Sequence, residues 1–323
     1  MELLARFSLN VFFGSLVTFY MTYFFILLFR LLIKSPRALY LLFLLPFIKI
    51  FSDLLFSSHS QWVFQQGEYV LKQPENSRTL NALIGYKGAC PFAALKFNLQ
   101  DGQLFSFGDV FSEFIGESLT LFIGLALIIL TILSLARFGL HLRKSALWKK
   151  ALLNETYFYD RYKGVVVYST TRDLQSPILV GIWKPIIICP DLLLKTFSYE
   201  EKMAIFSHEK EHVLWKDNFV NGFIHGICAF FWFIPFKKTV LQKATYYREL
   251  GCDAKGDPLH LATALKKTQS INLPIGSIAF SSSFNRIKWI LEKKGPGKLG
   301  TVLSFIFFLG GALFIFGSQF LPF

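Results

Sequence analysis

The chain has 323 residues, 53% of them hydrophobic, with 38 Phe and a formal net charge of +13. That apolar share exceeds what an ordinary globular domain carries and predicts a membrane protein with a modest soluble part. The four cysteines, Cys90, Cys189, Cys228 and Cys252, form no C-x-x-C pair, so they suggest neither a zinc ribbon nor a disulfide framework.

In chain order, residues 8–32 are almost wholly apolar up to Arg30. The run is long enough to cross the hydrocarbon core and too long for the core of a signal peptide. A basic turn with Arg30, Lys34 and Arg37 follows. Residues 39–56 then predict a second span, so 1–56 forms a helical hairpin. Lys49 and Asp53 lie four apart in it and are expected to pair or to reach toward the outer interface. Residues 57–115 read as a polar extracytoplasmic loop, either a sensing element or a plain connector. Pieces such as Leu104-Phe105-Ser106-Phe107 suggest short strands there. Residues 116–136 hold a third span. After it come Arg137, His141, Arg143, Lys144, Lys149 and Lys150. By the positive-inside rule this cluster and the Arg30–Arg37 turn lie on the cytoplasmic side. Most of the positive charge falls between Arg137 and Lys298. Contact with anionic lipid headgroups accounts for it, and no recognised nucleic-acid motif favours direct nucleic-acid binding.

Residues 137–298 read as a cytoplasmic domain. Lys163–Tyr168 and Pro185–Ile188 are β-branched runs bounded by Gly and Pro, and predict strands. Ser198 followed by Glu201 fits a capping box, and no Pro or Gly interrupts the chain from there to Asp217. This helix carries Ser207-His208-Glu209-Lys210-Glu211-His212, which reads H-E-x-x-H. His208 and His212, four apart, share one helical face and can hold one metal ion. Glu209 is placed to act on a water at that metal as general base. A chance match on an amphipathic helix is the plainer alternative. Two protein ligands hold zinc weakly, so a third donor is required. Downstream, Arg248-Glu249-Leu250-Gly251-Cys252-Asp253 again puts two carboxylates four apart. Glu249 can ligate the metal while Asp253 bonds the far nitrogen of a ligating His and fixes its tautomer. A solvated helix face is the alternative for this pair.

Residues 219–236 are mostly apolar and by hydropathy alone would cross the membrane. A full crossing would set His212 and Glu249 about 30 Å apart, on opposite faces. The segment is therefore expected to dip into the membrane as a hairpin or to lie under the catalytic domain. His225, Tyr246 and Tyr247 are candidates to stabilise an oxyanion, with helix packing the plainer role for His225. Leu259–Lys267 predicts a helix, Asn272–Asn285 a loop, and residues 299–323 a fourth span in which Gly310-Gly311 permits close helix packing.

The pair H-E-x-x-H and E-x-x-C-D resembles the gluzincin metallopeptidases. Its Cys-Asp ending resembles the membrane-embedded BlaR/MecR-type signal-transducer peptidases, metallopeptidase family fifty-six. Ser176-Pro177 through Gly181, Lys184-Pro185 through Pro190, Asp217, Trp232-Phe233-Ile234-Pro235 and Arg286-Ile287 match the same pattern. The resemblance implies a mainly α multi-pass protein of the bacterial cytoplasmic (inner) membrane, with a cytoplasmic α+β gluzincin-type zinc peptidase domain. It implies Zn²⁺ as cofactor and an edge strand that pairs with extended substrate, making Leu179, Val180 and Gly181 candidate substrate contacts. It also implies self-cleavage, for which Ser283–Phe284 is the candidate bond, although the same stretch reads as a mere linker. Antibiotic-sensing members continue into an extracellular penicillin-binding domain, and a chain ending at Phe323 is expected to lack that sensor. The expected function is a membrane-bound zinc endopeptidase in regulated proteolysis. Its substrate would be a cytosolic protein such as a transcriptional repressor, or a membrane protein. A membrane-protein quality-control peptidase and a non-catalytic zinc scaffold are the alternatives, and the oligomeric state stays open.

Overall fold

The structure is a computed structural model that describes residues 2–56, 61–65, 68–72, 114–272, 278–292 and 298–317. Two helices and a strand pair come first: α1 (Glu2–Phe29), α2 (Pro36–Phe56), β1 (Gln61–Gln65) and β2 (Glu68–Lys72). Then follow α3 (Glu117–Leu153), β3 (Thr156–Tyr162), β4 (Val165–Thr170), β5 (Ile178–Val180) and β6 (Ile186–Pro190). The rest is helical: α4 (Asp191–Thr196), α5 (Tyr199–Leu214), α6 (Asp217–Phe230), α7 (Lys237–Asp253), α8 (Pro258–Asn272), α9 (Ile278–Leu291) and α10 (Lys298–Gly317).

Among the described residues, α1 over Val11–Phe29 and α3 are by length and composition able to cross a membrane, and α10 carries a shorter apolar stretch, Leu299–Leu313. The surface agrees with that composition. On α3, Phe122, Ile129, Ile132 and Leu133 are exposed, as are Val302, Ile306, Leu309 and Leu313 on α10. Apolar bands of this extent are unfavourable against water and stable against lipid or a partner. Small residues bring α1 and α3 together: a Cβ on Gly124 would lie 2.5 Å from Ala5 Cα. Ser8 Oγ donates to the Gly124 carbonyl at 3.0 Å across the same contact.

Two cores result. The first surrounds α2, where Phe43 and Phe47 pack with Phe19 of α1, Ile224 and Ile227 of α6, and Val240 and Ala244 of α7. The second lies on the sheet, where Val167 and Ile187 pack with Leu193 and Leu194 of α4, Phe206 of α5 and Leu261 of α8. The sheet order is β3-β4-β6-β5. β4 and β6 run parallel, and β3 and β5 pair antiparallel on the flanks, which leaves β5 at one edge. The helix α5, with the H-E-x-x-H residues, packs on the sheet side, and α7 packs along α2.

Several expectations change. The helix that holds the expected third span does not end near residue 136: α3 is one helix of 37 residues, about 55 Å long, so its basic half continues beyond a hydrocarbon core of about 30 Å. Hydropathy detects only the apolar half. Lys49 is fully buried beside the α2 core rather than reaching an interface, because α2 is enclosed by α1, α6, α7 and α10. The loop expected over 272–285 gives way from Ile278 onward to α9, so Ser283 and Phe284 lie within a helix. The antiparallel β1–β2 pair lies in the expected extracytoplasmic loop. Leu104–Phe107 and Cys90 fall outside the described residues.

Candidate metal centre

The helix that carries the histidines is capped as its sequence requires. Ser198 Oγ accepts from the Glu201 N–H, and the Glu201 carboxylate accepts from the Ser198 N–H at 2.8 Å. Lys267 of α8 adds a 2.7 Å ion pair to Glu201. Helix α5 ends at Leu214, and Lys216 adopts the left-handed region with φ 52°. That break turns Asp217 back toward the helix it has just left. The α6–α7 hairpin then returns the chain. Phe236, with φ 56°, opens α7, and Glu249 arrives at the histidines about three and a half turns later. Segment 219–236 therefore does not separate the two halves of the site.

Three donor atoms converge. His208 Nε2 lies 3.2 Å from His212 Nε2. Glu249 Oε2 lies 3.5 Å from the first and 3.7 Å from the second. Zinc bonds of about 2.0–2.2 Å in tetrahedral geometry place neighbouring donors about 3.3–3.6 Å apart, so this triangle fits one ion. The other carboxylate oxygen of Glu249 accepts from Arg248 at 2.9 Å, which leaves Oε2 facing the histidines. A second donor set also has metal-binding dimensions: His208, His212 and Cys252. Cys252 Sγ, however, sits 3.3 Å from His212 Nδ1, the ring nitrogen opposite Nε2. That nitrogen also meets Asp217 Oδ2 at 2.6 Å, so Cys252 lies on the side of the ring away from Glu249 Oε2. The two Nε2 atoms and Glu249 make the better site.

Each histidine has an aspartate at Nδ1. Asp253 Oδ1 lies 2.9 Å from His208 Nδ1, although the angle falls short of a well-aligned hydrogen bond. Arg286 of α9 grips Asp253 with two contacts, at 2.7 and 2.8 Å. Asp217 Oδ2 lies 2.6 Å from His212 Nδ1. Burial alone would lower the pKa of His208, but the Asp253 and Glu249 carboxylates outweigh it and hold the imidazole up. The same contest raises His212 to about 12, through Asp217, Cys252 and Glu249. For Glu249, burial is overcome by the two histidines and Arg286, and its carboxyl falls well below the ordinary range. Asp253 is lowered in the same way by Arg286 and His208, against its own burial. Glu209 moves in the opposite direction: burial lifts its carboxyl even though the histidines oppose the lift. A carboxylate with a raised pKa suits a group that must both take and give a proton.

Glu209 shares a cavity of about 330 Å³ with His208, His212 and Glu249, bordered by Leu179, Asn218 and Arg286. Of the three residues expected to meet substrate, Leu179 lines this cavity. Val180 turns the other way and packs with Leu152 and Ile188, since successive strand residues face opposite sides. Gly181 shapes the following turn: its φ is 100°, and a Cβ there would lie 2.7 Å from the Lys184 carbonyl oxygen. None of the oxyanion candidates lines the cavity. Tyr247 stacks on Phe43 of α2 with ring centroids 5.5 Å apart, Tyr246 meets Tyr247 edge-on, and His225 lies exposed on α6.

Sequence reasoning missed Asn218. Its Nδ2 donates to the carbonyls of Leu179 and Gly181 at 3.1 and 3.0 Å, tying the open edge of β5 to α6. It also left Arg286 and Asp217 as pattern matches without a role. For Asp217 the available signal was its place five residues after His212, whereas Arg286 lies 33 residues beyond Asp253.

Comparison with known proteins shows the family. The chain is similar to the regulatory protein BlaR1 of Bacillus licheniformis, at 30% identity over 139 residues. That alignment spans 40% of this chain and 23% of the relative, so the chain matches about a quarter of that protein's length. A model of the BlaR1 peptidase M56 family matches residues 10–256, most of the chain. The chain belongs to the BlaR1-type M56 peptidase family.

Proposed function

We propose that this protein is a membrane-embedded zinc endopeptidase, with His208, His212 and Glu249 as metal ligands and Glu209 as general base and acid. The triangle of two Nε2 atoms and Glu249 Oε2, with Glu209 in the same cavity, carries the reading. A Zn²⁺ ion held there would polarise the scissile carbonyl and lower the pKa of the attacking water. Glu209 takes the proton from that water and passes it to the leaving amine. Asp253 and Asp217 orient the two imidazoles. The edge strand β5 offers backbone groups to an extended substrate beside Leu179. Asn218 occupies one lone pair on each of the Leu179 and Gly181 carbonyls, and a second lone pair remains on each.

The exposed apolar faces of α3 and α10, with basic residues after the apolar part of α3 and before that of α10, support a multi-pass protein of the bacterial inner membrane with its catalytic domain on the cytoplasmic side. Anionic lipid is the expected contact of that basic face. A cytosolic repressor or a membrane protein is the expected substrate, in regulated proteolysis. Cleavage at Ser283–Phe284 would require the middle of α9 to unwind, which disfavours that bond in the state described.

The test compares wild type with Glu209→Gln in membranes. The variant should keep one zinc per chain and lose cleavage of the substrate by about 10²–10⁴-fold, the usual contribution of a general base. Full activity in the variant, or wild type without bound zinc, would sink the assignment.

A further inference from the structure

The basic turn before α2 invites a simple account, in which Arg37 snorkels toward lipid headgroups. The structure places it otherwise. Pro36 opens α2, and Arg37, the next residue, is only 6% exposed. Its guanidinium points inward. One nitrogen lies 3.5 Å from Asp217 Oδ2 and another donates to Cys252 Sγ at 2.8 Å. The guanidinium carbon sits 4.9 Å from the centre of the Trp215 ring. Gly251 leaves room for the side chain: a Cβ there would come within 2.6 Å of Arg37 Cδ. Three stretches of the catalytic part thus close around one cation from the membrane hairpin: the end of α5, the start of α6 and the end of α7.

A buried cation is unfavourable unless its contacts offset desolvation, so this arrangement restrains both partners. Asp217 is itself 3% exposed and holds His212 Nδ1 at 2.6 Å. The line Arg37–Asp217–His212 therefore runs from the foot of α2 to a donor of the metal centre. The turn bearing Arg37 is fixed as well. The backbone N–H groups of Lys34 and Ser35 both donate to Ser304 Oγ of α10, at 3.0 and 3.1 Å.

We propose that Arg37 is a positioning residue of the metal centre: it holds Asp217 against His212, so that metal affinity depends on how the α1–α2 turn is seated. The proposal rests on the His208–His212–Glu249 reading. Membrane helices that lie outside the catalytic cavity gain through Arg37 a direct connection to the metal's ligand.

The experiment measures zinc affinity of the full-length protein by competition with a chromophoric chelator, together with the visible spectrum of the cobalt-substituted form. Arg37→Ala and Arg37→Lys should each weaken zinc binding by about 10-fold, the lower end for a partner that orients a ligating His, and should shift the cobalt bands. Gly251→Ala displaces the guanidinium without removing its charge and should act in the same direction. If Arg37→Ala does not fold, Arg37→Lys and Gly251→Ala decide. Wild-type affinity and spectrum in these folded variants would overturn the proposal, even if their metal-free stability fell. A wild-type protein that binds no stoichiometric zinc, or a His208→Ala variant that binds it equally well, would instead overturn the metal-centre reading itself.

Discussion

His208 and His212 stand one turn apart on α5, and each offers Nδ1 to an aspartate, yet the two supports differ. On the His208 side, Asp253 is clamped by both arms of Arg286 at 2.7 and 2.8 Å. On the His212 side, the aspartate–imidazole contact is shorter, 2.6 Å, but Asp217 meets Arg37 only at 3.5 Å, and its other oxygen has no partner among the described residues. One support is bidentate and closed, and the other is single and loose. The closed one is built from α7 and α9, within the catalytic part. The loose one depends on the first residues of α2, beside the α1–α2 turn. A closed and a looser support thus stand on the two sides of one histidine pair, and the looser one is held from the α1–α2 turn.

The largest change should come from removing what both supports serve. Glu249→Ala should weaken zinc by more than about 100-fold, beyond the range of losses caused by orienting partners alone, as read by metal content after dialysis. A variant that keeps its zinc would shift the third ligand to Cys252 and dissolve the comparison. Next, Asp253→Ala should destabilise the fold by ~3–5 kcal/mol, because Arg286 is left buried without its main partner. Asp217→Ala should cost less, ~1–3 kcal/mol, since Arg37 keeps Cys252 and Trp215. Unfolding curves that show equal losses would mean that the supports are equivalent after all. Smaller still, Asn218→Ala releases the edge of β5 and should raise KM about 5-fold with zinc binding unchanged, a shift of about 1 kcal/mol typical of one net hydrogen bond. A parallel loss of zinc would extend the loose side to include β5. Last, Ser198→Ala removes the cap beneath both histidines and should cost ~1 kcal/mol of stability. Since it touches neither support selectively, it should leave the ratio between the two aspartate variants unchanged.

What the sequence displayed was local. Four-residue spacing put His208 with His212 and Glu249 with Asp253, and Ser198 with Glu201 marked the helix start, because helical neighbours are fixed by the turn itself. The Asp217–His212 contact was hidden because five residues is the wrong spacing on a continuous helix. It exists only because Lys216 leaves helical geometry. Arg37 and Arg286 were hidden for another reason. No periodic pattern connects a residue at the start of α2 with one 180 positions later. The first part of α9, up to Asn285, reads as loop because Ser281-Ser282-Ser283 has little helix preference. Ile290, buried in the sheet core, shows that packing overrides that preference. The full length of α3 escaped because its second half is basic rather than apolar.

The open edge of β5 is three residues long, from Ile178 to Val180. An edge so short can accept a few extended residues of another chain and little more, and it recognises main chain before side chain. A partner protein can present such a stretch only where its own structure opens. Local opening of folded proteins ranges from almost no free energy at frayed ends and mobile loops to the full stability of the core. Each 1.4 kcal/mol of opening cost lowers the available fraction tenfold. Selection by this edge would then depend less on a residue motif than on the weak points of its partners, and the partner's own folding stability would set the rate at which it is cut.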